Sequence, residues 1–158
     1  MPQNRRSELV QLIESSADSL KQMDPAAQIV KKSPEIWTNQ EILGHLIDSA
    51  YNNHRRIVLA SNQEDLIFDG YPQDHWVQAH AYNKSDWISL INTWKSVNLH
   101  LAQLIGNLPE QLLRRPTTNH NFHEIGFRPI EKGAPSSLDF LIEDYIAHLQ
   151  HHLNQIIS

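Results

Sequence analysis

Apolar residues recur every three or four positions along most of the chain, and no segment alternates strictly enough to read as a strand. The pattern therefore predicts helices joined by loops. The first helix is expected from about Ser7 to Met23, with Leu9, Leu12, Ile13, Ser16 and Leu20 on one face and Asp24-Pro25 breaking it. A second begins at Thr38, where Thr38-Asn39-Gln40-Glu41 reads as a capping box, and continues to about Ser61. Residues 62–84 form a long connection holding Tyr71-Pro72 and a short helix from Gln73 to Tyr82. Ser85 is expected to cap the third long helix, roughly Asp86 to Gly106. Its Trp87, Leu90, Ile91, Trp94, Val97, Leu101, Leu104 and Ile105 make an evident core seam. A second long connection, 116–135, carries Pro116, Gly126, Pro129, Gly133 and Pro135, and the last helix runs from Ser136 or Ser137 to Ile157.

Four long amphipathic helices without an internal repeat predict an all-α fold, a four-helix bundle with long connections after helices two and three. The pattern is compatible with up-down or crossover topology. At 158 residues the chain is expected to be one domain, 1–158, large enough for a single core. The absence of cysteine excludes disulfides and thiolate metal sites, so any metal must be held by nitrogen and oxygen. No run of about 18 apolar residues occurs, and the N-terminal segment is charged throughout, so a cytoplasmic protein with no membrane partner is expected. Net charge is −5, and the basic residues fall in scattered pairs, Arg5-Arg6, Arg55-Arg56 and Arg114-Arg115, which argues against nucleic acid as a partner.

Ten histidines are the compositional outlier. On the last helix Leu138, Leu141, Ile142, Tyr145, Leu149, Leu153 and Ile156 define the inner stripe, and His148 and His152 lie within it or at its edge. Four residues apart, they are separated by one turn of ~5.4 Å and share a face. On helix two, Ile42, Leu46, Ser49, Ala50, Asn53 and Ile57 mark the inner side, and His45 lies beside Leu46. A single histidine on an apolar face is more often a hydrogen-bonded core residue. Three from two neighbouring helices would instead supply a facial set of nitrogen ligands with positions left open, as catalytic metal sites have.

The other histidines divide more plainly. His54 and His151 fall on helix flanks, His151 at the surface, and His100 is a boundary position that could approach the site. His75, His80, His120 and His123 lie in connections and are not expected to be ligands. Asp48, Asp139 and Asp144 are candidates to orient the imidazoles, with a solvated helix charge the simpler reading for Asp139. Tyr71, Trp76, Tyr82 and the 116–127 loop are candidate pocket walls. His123-Glu124 begins like a zinc-protease motif, but Phe127 stands where the second histidine would be. Phosphate-loop, dinucleotide and nucleophile-elbow motifs are absent. No catalytic residue beyond the metal ligands can be named.

The segments Trp37-Thr38-Asn39-Gln40-Glu41-Ile42-Leu43-Gly44-His45-Leu46-Ile47-Asp48-Ser49 and Asp144-Tyr145-Ile146-Ala147-His148-Leu149-Gln150-His151-His152-Leu153-Asn154-Gln155-Ile156 resemble the DinB-like superfamily. Helix order and loop placement agree over essentially the whole chain. The resemblance implies a bundle of up-down-down-up topology, a divalent ion on His45, His148 and His152, and frequent homodimers. Nickel or zinc is the ion expected, with iron or manganese as alternatives. It implies a small-molecule substrate, in some relatives a low-molecular-weight thiol, and a metal-dependent S-transferase or hydrolase. A metal-binding stress-response module without turnover is the alternative.

Overall fold

The computed structural model describes residues 2–158. Among these residues seven α-helices follow one another: α1 (Pro2–Lys21), α2 (Asn39–Ala60), α3 (Gln73–His80), α4 (Trp87–Asn107), α5 (Glu110–Arg114), α6 (Phe122–Ile125) and α7 (Leu138–Ile157). Four of them, α1, α2, α4 and α7, are long enough to form a bundle. No strand occurs among the described residues. The nearest approach is two isolated bridges, Leu66 with His120 and Thr117 with Ser136, which pin the long connections together. Among the described residues no helix is long and apolar enough to cross a membrane.

The ends of the long helices are set by local chemistry. Thr38 caps α2 through its side chain, which accepts from the Glu41 amide at 3.0 Å, while Glu41 accepts from the Thr38 amide at 2.8 Å. This is the reciprocal box expected from the sequence. At α4 the cap is Asp86, whose carboxylate accepts from the Ser89 amide at 2.8 Å. Ser85, the cap expected from the sequence, instead closes the short 3₁₀ turn before it, Tyr82–Lys84, one residue ahead of the observed cap. Ser137 caps α7. Helix α1 begins earlier than its apolar stripe suggested, at Pro2, because its first turn is tied to the rest of the bundle. Gln3 donates to the Gly106 carbonyl at 2.8 Å, and Arg5 pairs with Asp139 at 2.8 Å and with Glu143.

Cross-helix contacts give the direction of each helix. The start of α1 meets the end of α4 through Gln3 and Gly106, and its end meets the start of α4 where the Trp87 indole donates to the Leu20 carbonyl at 2.9 Å, so these two are antiparallel. Arg5 and Asp139 join the starts of α1 and α7, which are parallel. Gln40 reaches the Ser85 carbonyl at 2.6 Å and His54 stacks on His100, so α2 and α4 are parallel. The topology is therefore up-down-down-up. Parallel neighbours cannot be joined by a tight turn, and this is why the connection from α2 to α4 is long.

The core is continuous from Leu9, Ile13 and Leu20 of α1 through Leu46 and Ile57 of α2 and Trp94 and Leu101 of α4 to Ile142, Leu149 and Leu153 of α7. Helix α2 departs from the one-sided amphipathic pattern: residues 42–50 are all buried. Its bundle face packs on α4 and α7, while α3 and the Tyr82 turn cover its outer face. The closeness of that cover explains Gly44, where a Cβ would sit 2.0 Å from the Tyr82 ring. The α4 seam is also shifted by one position. Asn98 is fully buried while Val97 is only partly so, because Asn98 accepts from the Tyr145 hydroxyl and donates to the Trp94 carbonyl at 2.9 Å. A buried amide is tolerable when both of its ends are bonded.

Candidate metal centre

His45 stands in the second turn of α2, and His148 and His152 stand one turn apart near the end of α7. The two helices are antiparallel neighbours, which brings the start of one to the end of the other. One ring nitrogen from each histidine lies within 4.8 Å of the other two. Nε2 of His45 and Nε2 of His148 are 3.2 Å apart, and the ring of His152 lies 5.0 Å from that of His45 and 4.6 Å from that of His148. Nitrogens bound to one ion at about 2.0–2.1 Å are separated by roughly 3.0–3.4 Å, so the closest pair already has the spacing of co-ligands. The three side chains thus fit a divalent ion by donor type and by distance.

Protonation also suits ligation. Burial pushes the His45 imidazolium down to about 4, with the neighbouring His152 adding to the effect. His148 is pushed down to about 3, mainly by burial and further by His152, His45 and His151. His152 is lowered too, chiefly by burial, although its bond to Gln155 opposes the shift. Neutral imidazoles near pH 7 leave lone pairs available to a cation. His152 is further fixed in tautomer: its Nδ1–H donates to Gln155 Oε1 at 2.8 Å, which leaves Nε2 as its free donor atom. Nδ1 of His45 is buried and has no partner among the described residues.

Aromatic rings flank the cluster. Trp37 packs on His45 with centroids 4.9 Å apart, and Phe127 packs on His148 at 5.4 Å and on His151 at 5.2 Å. Phe127 is held there by Asp144, whose two oxygens accept from the amides of Phe127 and Arg128 at 2.8 and 2.7 Å. Beyond His148 and His152 opens a cleft of about 420 Å³. Ser49, Asn53 and Arg56 of α2 form one wall, Tyr71 and Gln73 a second, and residues 124–127 with Leu141, Asp144, Tyr145 and His151 of α7 much of the rest.

The candidates named from the sequence thus separate. His45, His148 and His152 come together, whereas His100 stacks on His54 at 4.9 Å and does not line the cleft. His151 is exposed, as expected. His120 is buried in the loop framework, bonded to the Ala134 carbonyl at 2.7 Å, and His123 lies beside Glu124 at 3.4 Å. Of the expected walls, Tyr71 and the end of the 116–127 loop line the cleft. Trp76 packs on Tyr71 and His80 instead, and Tyr82 is buried against α2. None of the three carboxylates orients an imidazole of the cluster. Asp48 accepts from the Tyr82 hydroxyl at 2.5 Å, Asp144 holds loop amides, and Asp139 is no free charge but the partner of Arg5.

Trp37, Gln155 and Arg56 were not singled out from the sequence as site residues, and Phe127 only as the end of the 116–127 loop. Gln155 lies one turn after His152, a spacing that could have flagged it. Arg56 falls three and seven residues after Asn53 and Ser49, both already read as inner, so its helical phase could have found it despite its charge. Trp37 precedes the helix and Phe127 sits in a loop, where periodicity gives no signal.

Residues 5–156 match the family model described as the DinB superfamily. A protein of Oceanobacillus iheyensis named "Putative metal-dependent hydrolase" is 27% identical over 122 residues, which cover 77% of this chain and 64% of that protein. The chain thus aligns with less than two thirds of that relative's length. The solved structure of YfiT from Bacillus subtilis, described as a probable metal-dependent hydrolase with an unusual four-helix bundle topology, superposes with a TM-score of 0.71 at 20% identity. It covers 96% of this chain and 83% of that one. At that identity the likeness establishes the shared fold.

Proposed function

The chain belongs to the DinB superfamily, and from that premise we propose that it is a metal-dependent hydrolase of small molecules, with one divalent ion held by His45, His148 and His152. The observation that carries this reading is the convergence of three imidazole nitrogens within 4.8 Å, two of them on histidines, His148 and His152, that line a cleft. Three nitrogen ligands would leave coordination positions free for water or substrate, in contrast to the closed four-ligand structural sites. An imidazole set favours zinc or nickel, with iron or manganese next, over magnesium or calcium, which prefer oxygen. A divalent ion there would supply Lewis acidity toward a substrate oxygen and a water that is acidic near neutral pH.

The residues around the ion have separable tasks. Gln155 fixes the tautomer of His152. Trp37 packs against His45 and shields its ring from solvent, while Phe127, itself partly exposed, borders His148 on the cleft side. Asp144 anchors the loop that carries Phe127, so the cleft wall is held in place before substrate arrives. The 420 Å³ cleft suits a small molecule and not a polymer.

The test is elemental analysis of untagged protein followed by assays with hydrolase panels on loaded and chelated samples. One equivalent of ion per chain, lost in His148→Ala, together with chelator-sensitive hydrolysis, is the expected outcome. Turnover of low-molecular-weight thiols in place of hydrolysis would move the reaction to S-transfer. A tightly held ion without turnover in either panel would return the protein to a binding module, and the absence of any bound ion would overturn the reading.

A further inference from the structure

Charge is distributed unevenly in the cleft. Arg56 is only 5% exposed, yet no carboxylate among the described residues lies within ion-pair distance of its guanidinium. Its direct contacts are neutral: Nη2 donates to the Asp69 carbonyl at 2.9 Å, Nη1 lies 3.5 Å from the amide oxygen of Asn53, and the Tyr71 ring sits 5.8 Å from Cζ. Burial pushes the Arg56 guanidinium below its ordinary range, and the Asp69 carboxylate, which lies beyond ion-pair distance, opposes that shift only in part. A buried cation is normally paired, because leaving the charge uncompensated costs several kcal/mol. The other charged groups on the cleft do not supply the missing anion. Asp144 is engaged by two loop amides and by Arg128, and Glu124 is turned to solvent at the rim beside His123.

The position of Arg56 matters as much as its lack of a partner. His45, Ser49, Asn53 and Arg56 succeed one another at intervals of four, four and three residues, and so run as one stripe along α2. Arg56 lies about 16 Å along the axis from His45. Its long side chain leans back toward the helix start, which shortens the separation to on the order of 10 Å. Ser49 and Asn53 lie between them on the same wall. The geometry points to Arg56 as an anion anchor: the cleft takes a small carboxylate-bearing substrate, its carboxylate on Arg56 and its scissile group toward His148 and His152. The reaction in this assignment rests on the metal-dependent hydrolase reading, whereas the charge preference rests on Arg56 alone. A single guanidinium fork matches the planar, singly charged carboxylate, and a doubly charged phosphate would require more cations than this wall offers.

The experiment uses monohydroxamates of dicarboxylic acids, from glutarate to pimelate length, and the matching probes in which the far carboxylate is a carboxamide. Affinities for zinc-loaded and for chelated protein are measured by calorimetry. The expected result for loaded wild-type protein is at least about tenfold tighter binding of the carboxylate-tailed probe of best length. That advantage should vanish in Arg56→Gln and be partly kept in Arg56→Lys, with circular dichroism confirming that each variant is folded. Equal affinity of the two tails for wild-type protein, or no binding of either, overturns the assignment without reference to any variant. An advantage that persists in folded Arg56→Gln overturns it as well. The metal reading is scored separately, by loss of affinity for both probes on chelation, and a preference for the carboxylate within the chelated protein would keep the anchor even if the ion were rejected.

Discussion

The Nδ1–H of His152 donates to Oε1 of Gln155, one turn further along the same helix, at 2.8 Å. The amide NH₂ of Gln155 in turn faces Nε2 of His151 at 3.3 Å. Removing this brace frees the His152 ring to rotate and to exchange tautomers. Gln155→Ala is expected to weaken zinc or nickel binding by about 10–100-fold with little change in helicity. Competition against a chelator of known affinity measures the effect, and unchanged affinity would show that packing alone orients the ring.

The lowered imidazoles make metal-free stability depend on pH with a definite sign. An unfolded chain binds protons on these histidines below about pH 6.5, whereas His45 and His148 resist protonation down to about 4 and about 3 in the fold. Between those limits the unfolded state holds more protons, so stability rises with pH. The stability due to neutral imidazoles is fully present above pH 6.5 and is lost as pH falls toward 4. Thermal unfolding of chelated protein over this range should show a falling Tm, and the slope should be smaller in His148→Leu, which has one fewer group to titrate.

Gly44 is required by a neighbour and not by its own backbone. Alanine usually stabilises a helix interior by about 1 kcal/mol relative to glycine, but here its methyl would enter the Tyr82 ring and disturb the bond from Tyr82 to buried Asp48. Overpacking of this kind costs about 1–3 kcal/mol and the Asp48 contact adds to it. Gly44→Ala should therefore lower Tm by several degrees, reading roughly 2–4 °C per kcal/mol for a chain of this size. A rise in Tm would mean that the α3 cover moves aside freely.

Asp144 provides both acceptors for the loop amides beneath Phe127. In Asp144→Ala those amides lose their partners, and hydrogen exchange at Phe127 and Arg128 is expected to accelerate by about tenfold or more while the α7 core amides at Leu149 and Leu153 stay protected. Exchange that remained slow at 127 and 128 would place the loop's anchorage elsewhere, in the ring of Phe127 itself.

Much of this architecture was legible because it depends on interactions close in sequence. The Thr38–Glu41 box, the phase of α7 and the four-residue spacing of His148 and His152 are all local, and each is found where the pattern placed it. What the pattern could not supply was the identity of the neighbour. Asp48 reads as an inner acid from its position near His45, yet it serves Tyr82, 34 residues away, because α3 folds over the outside of α2. Likewise Asn98 displaces Val97 from the seam only because Tyr145 of α7 meets it. Arg56 was obscured for a different reason. Charge suggests solvent, and a buried arginine becomes intelligible only once a cleft is seen beside it.

His45 and His148 are 103 residues apart in sequence. An ion shared between them would act as a removable cross-link that closes a very long loop, the kind of closure from which a clip gains the most. His152 lies close to the end of α7, at Ile157, where helix termini fray most readily. Unwinding of those last turns would release one imidazole while two remained, so the lifetime of the bound cation should follow the opening rate of the final turns more closely than the unfolding rate of the whole bundle.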